Sequence, residues 1–487
     1  MNKFSKALTF ITLIVLSSST FAQYKSEKKI NFEAKNGQSS IAYEGTIMVP
    51  ENRNKKNSRL IPIKYVRFPA TGKKHGSPII YLAGGPGGSG IMTAKYRRFP
   101  LFMSMREFGD VIALDQRGAG ASDTTPECHS RIIIDHSIST PDKDYIKSHQ
   151  DALTECLSFW GNKNVDISGY NTIENVKDLE ALRIHFKANK ISLWGISYGS
   201  HMALAALKIM SDKLDKVIIA SAEGLSQTIK MPARTDAYFD RLQQAINSQE
   251  SAKKMFGDIK TLMHRVHNKF DNKPLKLKIP LDLDNNNSFD FILQRRDLQE
   301  FTSGSISDPA KAKQILQLYL ALDNNFNAPI IAVIKKYFKP NQPITFELMP
   351  IAMDLASGMS KEKRKAIKRQ AQTALLKDYL NFSYHLTDVI PSIDLGDEYR
   401  QKPNSSVPTL LFSGTLDGRT YIESQLEAVS GLNNLTAITV NNAGHNLFMF
   451  SATQTSPKVE STMKAFMAGD PIDSLSITVP LPNFAKF

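Results

Sequence analysis

The sequence predicts an α/β fold in which helices cover both faces of a mostly parallel sheet. Short, continuous apolar runs recur and end at glycines or polar residues, as in SPIIYLAGG, DVIALDQRG, KISLWGISYG and DKVIIASAEG. Helical patterns such as IENVKDLEALRIHF lie between some of these runs. Such runs are typical of strands that are buried on both faces, and their alternation with helices favours a parallel sheet. The same pattern of apolar runs recurs near the C-terminus, at VPTLLFSGTLDG and LTAITVNNAGHN.

Two other sequence patterns mark the limits of the sheet domain. Before the first buried run, SIAYEGTIMVP and RLIPIKYVRFP alternate polar and apolar residues, which predicts half-buried antiparallel strands. Between residues 226 and 403, helical patterns rich in Lys and Asn predominate, and we interpret this stretch as a helical lid. The predicted organisation is a sheet domain in two parts, 23–225 and 404–487, with the lid inserted between them.

The N-terminus has the pattern of a secretory signal peptide. Lysines in MNKFSK precede the apolar run ALTFITLIVL, and small residues in SSSTFA precede Gln23. Cleavage is expected after Ala22, so residues 1–22 are not counted in the fold. The apolar run is too short to span a bilayer, and no later segment reaches the necessary length. We therefore expect a soluble, exported protein, located in the periplasm or outside the cell.

The charge balance is basic, with a formal net charge of +14. Loss of Lys3 and Lys6 with the signal peptide takes this value from +14 to +12. A basic protein can attract anionic surfaces or nucleic acid, but here the charges are not gathered into one tract. The densest run, KEKRKAIKR at 361–369, has the pattern of a solvated helix face. Nucleic-acid binding is not expected.

Cys128 and Cys156 are the two cysteines of the chain. Export places them in an oxidising compartment, where disulfides form and persist. Closing a loop of this length stabilises a fold by about 3–4 kcal/mol in the chain-entropy model. We expect a disulfide without a catalytic role, and two free buried thiols are the alternative.

The segment Gly195-Ile196-Ser197-Tyr198-Gly199 places a serine between a buried run and a helical pattern. A serine at this position is often only a helix N-cap. The alternative is a nucleophile elbow of the form G-x-S-x-G, which requires Asp and His to follow in that order at later strand ends. Asp417 follows TLLFSGTL and His445 follows LTAITVNNAG, so the chain has the required order.

These residue types suit nucleophilic catalysis. His445 would take the proton of Ser197, and Asp417 would hold the imidazole in the correct tautomer. Backbone N–H groups of Gly85 and Tyr198 would stabilise the negative oxygen of the tetrahedral intermediate. Gly85–Pro86 is in addition a candidate cis peptide bond, because tight turns use this geometry. Each residue alone also has a structural interpretation as a turn glycine, a capping aspartate or a hydrogen-bonded histidine.

The glycine loop offers a competing interpretation. Gly85-Pro86-Gly87-Gly88-Ser89-Gly90 satisfies G-x-G-x-x-G after a strand, and Asp115 ends the next strand where a dinucleotide fold places its ribose-binding acid. Against an NAD-dependent oxidoreductase, Pro86 removes an N–H from the loop that would hold the pyrophosphate. That hypothesis also leaves the Ser, Asp and His residues unexplained. We expect no cofactor, and no cluster of His, Cys and carboxylates suggests a metal.

The motifs AGGPGGSG, DQRGAGAS, LWGISYGS, SGTLDGRT and NNAGHN together resemble those of secreted α/β-hydrolase aminopeptidases, the proline iminopeptidases and tripeptidyl aminopeptidases. The resemblance covers roughly residues 45–225 and 405–465. It implies an α/β-hydrolase fold, the triad Ser197, Asp417 and His445, and an oxyanion loop around Gly85. Ala83 stands where many iminopeptidases have His, and DQRGAGASD lacks their second arginine. Strict selectivity for proline is therefore not implied.

The resulting prediction is an exported serine aminopeptidase that acts on peptides with a free N-terminus. A carboxylesterase with the same triad and a non-catalytic binding protein on the same fold are the alternatives. Glu223, in IIASAEGLS, follows the strand after the elbow helix. It is a candidate for binding the α-ammonium of the substrate, and capping of the next segment is its structural alternative.

Overall fold

The computed structural model describes residues 27–486 with the exception of residues 74, 97, 282–286 and 449–456. The predicted signal peptide, 1–22, lies outside the described residues. The strands are β1 Lys28–Glu33, β2 Ser39–Pro50, β3 Leu60–Phe68, β4 Ile79–Leu82, β5 Val111–Leu114, β6 Cys128–Ile133, β7 Ile191–Ile196, β8 Leu214–Ala220, β9 Leu275–Pro280, β10 Ser288–Leu293, β11 Pro343–Phe346, β12 Thr409–Gly414, β13 Leu435–Asn441 and β14 Ser476–Thr478.

A ten-stranded sheet organises the fold, in the order β1-β2-β3-β5-β4-β7-β8-β12-β13-β14. In this order, every neighbouring pair from β5 through β4, β7, β8, β12 and β13 to β14 is parallel. The first three strands pair antiparallel with one another, and β3 joins the parallel part through an antiparallel pairing with β5. The central strands β4, β5, β7 and β12 are buried at every residue, as continuous apolar runs predict. The predicted mostly parallel α/β sheet is confirmed.

Helices cover both faces of this sheet. The helices are α1 Gly90–Lys95, α2 Phe99–Met105, α3 Asp142–Asn162, α4 Thr172–His185, α5 Tyr198–Ile209, α6 Pro232–Asn247, α7 Glu250–Phe256, α8 Ile259–Asn272, α9 Arg295–Ser305, α10 Pro309–Asp323, α11 Ala328–Tyr337, α12 Leu348–Ser357, α13 Lys361–Gln370, α14 Gly396–Arg400, α15 Ile422–Val429 and α16 Pro457–Ala468. Apolar residues of α4 and α5 form one core with the sheet, and those of α1, α2 and α16 form a second core on the opposite face.

The chain between β8 and β12 builds a further core of its own. Tyr238, Leu242, Met263, Leu316 and Tyr319 are among its buried members. This stretch is not purely helical as predicted, because β9 and β10 form an antiparallel hairpin and β11 pairs with β6. The β6–β11 pairing attaches the inserted stretch to the sheet domain. The limits 226–403 of the lid stay a prediction.

A disulfide joins Cys128 at the start of β6 to Cys156 on α3, with the two Cα atoms 5.6 Å apart. The bond lies in a small core with Trp160, Leu348 and Leu355, the last two on α12 of the inserted stretch. The predicted pairing is thus present where sheet domain and inserted stretch meet. Among the described helices, none is both long and apolar enough to cross a membrane.

Candidate active site

Ser197 lies on a strained turn between β7 and α5. Its backbone has φ 55° and ψ −127°, a region that costs free energy for a residue with a side chain. The turn also demands the two flanking glycines. A Cβ on Gly199 would lie 2.0 Å from Leu82 O, and one on Gly195 would lie 2.6 Å from Gly199 O. The Ser197 side chain makes no capping hydrogen bond to α5, so the N-cap interpretation does not account for it.

Asp417 and His445 lie in contact beyond the carboxyl ends of β12 and β13. His445 Nδ1 is 3.1 Å from Asp417 Oδ1 and 3.0 Å from Asp417 Oδ2. Because Nδ1 is engaged, Nε2 is the ring nitrogen left for proton transfer. Ser197 and His445 both line one cavity of about 1060 Å³.

Asp417 is fully buried and held by several donors. Its Oδ1 accepts hydrogen bonds from the backbone N–H groups of Arg419 and Thr420, at 2.8 and 2.9 Å. Its Oδ2 accepts one from Thr420 Oγ1, at 2.7 Å. Burial raises the pKa of Asp417, but the charge and hydrogen bond of His445 and the donors of Thr420 outweigh it, so the pKa is held below its usual value. The carboxylate therefore stays ionised beside the imidazole.

The backbone of His445 is anchored on both sides. Its N–H donates to Ser307 O at 2.7 Å, and its carbonyl accepts from Ser221 Oγ at 2.8 Å. Ser307 belongs to the inserted stretch and Ser221 follows β8, so the position of the imidazole depends on both parts of the chain.

The glycine loop after β4 lies directly against Ser197. A Cβ built on Gly84 would lie 3.0 Å from Ser197 Cβ and 3.6 Å from Ser197 Oγ. The peptide bond Gly85–Pro86 is cis, as expected from the sequence. Among the described residues, no acceptor takes the backbone N–H of Gly85 or of Tyr198. Both groups are therefore available as hydrogen-bond donors.

Asp115 has a structural task in this loop. Its Oδ1 accepts from Ser89 Oγ at 2.6 Å and from the Ile91 N–H at 3.0 Å, and its Oδ2 accepts from the Ala121 N–H at 2.7 Å. The carboxylate that a dinucleotide site would need for a ribose is thus occupied in holding α1 and the following turn.

Glu223, Lys230 and Asp354 form a charged cluster in the wall of the same cavity. Glu223 Oε1 accepts from Lys230 Nζ at 2.8 Å, and the side chains of both residues are 9% exposed. Burial raises the pKa of Glu223, but the ammonium of Lys230 and the neighbouring His201 outweigh it and hold the pKa below its usual value. The Glu223 carboxylate therefore bonds a lysine ammonium and does not cap a helix.

Asp354, on α12, supplies the second carboxylate of the charged cluster. Its Oδ2 accepts from Ser383 Oγ at 2.9 Å. Burial, together with the negative charge of Glu223, raises the pKa of Asp354 to about 6. Above that pH the charged cluster holds two carboxylates and one ammonium, so it carries a net charge of −1.

Comparison with known proteins supports the fold. Residues 77–272 match the family model described as alpha/beta hydrolase fold. The chain has an α/β-hydrolase fold.

The chain is similar to the serine protease Hip1 of Mycobacterium tuberculosis, to which it is 28% identical over 184 residues, 37% of this chain and 35% of Hip1. A proline iminopeptidase of Arabidopsis thaliana is 26% identical over 206 residues, 42% of this chain and 39% of that protein. Each match thus spans little more than a third of the relative. The solved structure of Rv0554 from Mycobacterium tuberculosis is 14% identical, with a TM-score of 0.41, and the match covers 88% of this chain and 100% of that one. The resemblance to α/β-hydrolase peptidases is confirmed by the family model and the named relatives.

Lys230, Asp354 and Arg98 are among the cavity residues that the sequence analysis missed. None belongs to a motif, and the first two reach the site only because the inserted stretch folds over the sheet. Lys230 lies seven residues after Glu223 in the chain, and this spacing does not predict an ion pair between them. Within the described residues there is no group of three or more His, Cys, Asp and Glu side chains that could hold a metal ion.

Proposed function

We propose that this protein is an exported serine aminopeptidase of the proline iminopeptidase or tripeptidyl aminopeptidase type. The observation that carries the proposal is that His445, paired with Asp417, lines one cavity with Ser197. Ser197 lies on a strained turn, and its side chain makes no capping hydrogen bond. The named relatives, a serine protease and a proline iminopeptidase, support a peptide as the substrate.

The proposed reaction has two halves. Ser197 Oγ attacks the scissile carbonyl while His445 Nε2 takes the hydroxyl proton, and the same nitrogen then gives this proton to the leaving amine. In the second half a water molecule loses a proton to His445 and attacks the acyl-enzyme, which releases the N-terminal fragment and restores Ser197. Donors from Gly85 and Tyr198 would stabilise the oxyanion in both halves. Loss of one such donor typically lowers the rate about 100- to 1000-fold. The chemistry requires no cofactor.

The charged cluster favours an aminopeptidase over a carboxylesterase. With Asp354 ionised, the two carboxylates exceed the single ammonium of Lys230 by one charge. The α-ammonium of a peptide that lies against the charged cluster would balance this local excess, whereas a neutral ester would not. We therefore assign Glu223 to substrate binding as one member of the charged cluster, together with Asp354. A carboxylesterase remains the second candidate, because the triad itself does not distinguish an amide from an ester.

Two features support export. The N-terminal pattern is that of a signal peptide, and the disulfide suits an oxidising compartment. Cell fractionation and N-terminal sequencing of the mature chain test this part. We expect Gln23 as the first residue and recovery in the periplasm or the medium.

Kinetics of two matched substrates test the reaction class. We expect wild-type protein to hydrolyse aminoacyl- or tripeptidyl-arylamides with a free amine, and to cleave the N-acetylated forms poorly. Ser197→Ala should abolish turnover of both arylamides and esters while the melting temperature stays near that of the wild type. Hydrolysis of acyl esters without any arylamide cleavage would select the esterase, and substantial activity in Ser197→Ala would contradict the triad.

A further inference from the structure

Arg98 lies in the cavity wall, directly before α2. It lines the same cavity as Ser197 and is only 8% exposed. One N–H of its guanidinium donates to Tyr81 Oη. Its plane also lies near the rings of Tyr81 and Phe448, with Cζ 5.7 and 5.9 Å from the ring centroids.

Within the part of the chain that the structure describes, the positive charge of Arg98 has no counter-ion, because no carboxylate there lies within ion-pair distance of the guanidinium. Its Nε is fully buried and meets no hydrogen-bond acceptor among the same residues. A guanidinium has five N–H donors, and burial of an unpaired charge costs free energy unless a partner arrives. Another buried arginine of the sheet domain, Arg117, bonds Asp178 at 2.8 Å through both Nε and Nη2. Arg98 differs from Arg117 in that it lines the cavity and has no carboxylate partner among the described residues.

Its position indicates the leaving-group side of the cavity. His445 donates the proton to the leaving amine, so the leaving peptide must lie beside His445. Arg98 lies near the Phe448 ring, three residues after His445 in the same loop. The guanidinium therefore lines the cavity beside the loop that carries His445.

We propose that Arg98 binds a carboxylate of the leaving peptide, which makes short peptides with a nearby negative charge the preferred substrates. The carboxylate is either the free C-terminus of the peptide or an Asp or Glu side chain just after the scissile bond. This inference rests on the proposed peptidase function. It concerns the leaving part of the substrate, whereas the charged cluster is proposed to bind the α-ammonium.

Four substrates with the same N-terminal part separate these possibilities. The first has Ala with a free carboxylate after the scissile bond, the second has Ala-amide, the third has Asp-amide, and the fourth has an uncharged arylamide. We expect kcat/KM to be about 10- to 100-fold higher for the free acid than for Ala-amide, the range of a charge-assisted hydrogen bond. Recovery with Asp-amide assigns the site to side-chain and terminal carboxylates alike, and no recovery assigns it to the C-terminus.

Variants of the two cavity arginines test the residue. Arg98→Met should bring the acid-to-amide ratio close to one, and Arg98→Lys should keep part of it. The matched control is Arg419→Met, because Arg419 also lines the cavity but donates to Ser303 O and Oγ at 3.2 and 3.3 Å. This control should keep the wild-type ratio. Melting temperatures establish that each variant is folded.

The outcomes separate the two proposals. If the wild type cleaves the arylamide with an acid-to-amide ratio near one, the Arg98 inference is overturned and the peptidase proposal stands. The same holds if Arg98→Met keeps the ratio or if Arg419→Met alone removes it. If Arg98→Met does not fold, the wild-type ratio and Arg98→Lys decide. Failure of the wild type to cleave any of the four substrates overturns the peptidase proposal itself.

Discussion

Replacement of Asp354 by Asn should make the protein more stable and a worse aminopeptidase. In the folded protein the pKa of Asp354 is raised from 3.8 to about 6, so the native state holds the proton more tightly than the unfolded chain does. The stability that protonation supplies is complete below about pH 4 and is lost as the pH rises to about 6. At pH 7 the ionised carboxylate therefore lowers the free energy of unfolding by at most about 3 kcal/mol, and Asp354→Asn removes this cost.

The same substitution should weaken binding of the α-ammonium. Without the Asp354 charge, Glu223 and Lys230 neutralise each other and the net −1 of the charged cluster is gone. A charge-assisted contact is worth about 1.5–3 kcal/mol, which is roughly 10- to 150-fold in kcat/KM. We expect a loss of this size for free-amine arylamides and a change of less than about threefold for a small neutral ester.

The assay is a pH series of kcat/KM for both substrates, expressed as the ratio of arylamide to ester. Both reactions need His445, so the effect of its protonation cancels in the ratio. In the wild type the ratio of arylamide to ester should fall as the pH drops through about 6, and in Asp354→Asn it should not change with pH. Glu300→Gln is the matched control. Glu300 lines the same cavity, but burial and the charge of Asp297 raise its pKa to about 8, so it carries little charge at pH 7. Equal losses on both substrates with reduced stability would refute the reasoning and make Asp354 a structural residue.

Three further outcomes follow from the contacts. Glu223→Gln should lower the free energy of unfolding, measured by urea titration, by about 3–5 kcal/mol, because Lys230 loses its buried counter-ion. Adding Lys230→Met to this variant should restore most of the lost free energy. If the losses of the two single variants simply add in the double variant, the ion pair is contradicted. Asp417→Asn should reduce kcat by several orders of magnitude with KM little changed, because the same change in a serine protease triad lowers kcat by about 10⁴. A mild loss of kcat would contradict the role of Asp417 in orienting His445. Reduction of the Cys128–Cys156 bond should lower the free energy of unfolding by about 3–4 kcal/mol; equal urea midpoints with and without reductant would show that it contributes nothing.

The parallel sheet and the elbow were predictable because their signals are local. The run KISLWGISYGS holds the strand, the strained serine and both close-contact glycines within a few residues. Asp417 and His445 could be located because strand ends in a parallel sheet gather at one edge, where ligands bind. The prediction of antiparallel strands for the β2 and β3 segments is also confirmed, and the structure shows in addition that the two pair with each other.

The remaining features depend on contacts between distant parts of the chain. β11 pairs with β6 across more than two hundred residues, and its four residues carry no periodicity that names a partner. The hairpin of β9 and β10 stands inside a stretch whose composition indicates helices. Lys230 and Asp354 acquire their roles from packing of the inserted stretch over the sheet edge. Arg98 is informative only because no acid among the described residues lies within ion-pair distance of it, and no sequence pattern predicts such an absence.

The most direct test of the central claim is identification of the residue that becomes covalently modified. Intact protein is treated with a fluorophosphonate, digested and mapped by mass spectrometry, with Ser197→Ala treated in parallel. The account predicts a single adduct on the peptide that contains Ser197, formed in the wild type and missing in the variant. An adduct on another serine, such as Ser200 or Ser221, or no adduct in active protein, would contradict it.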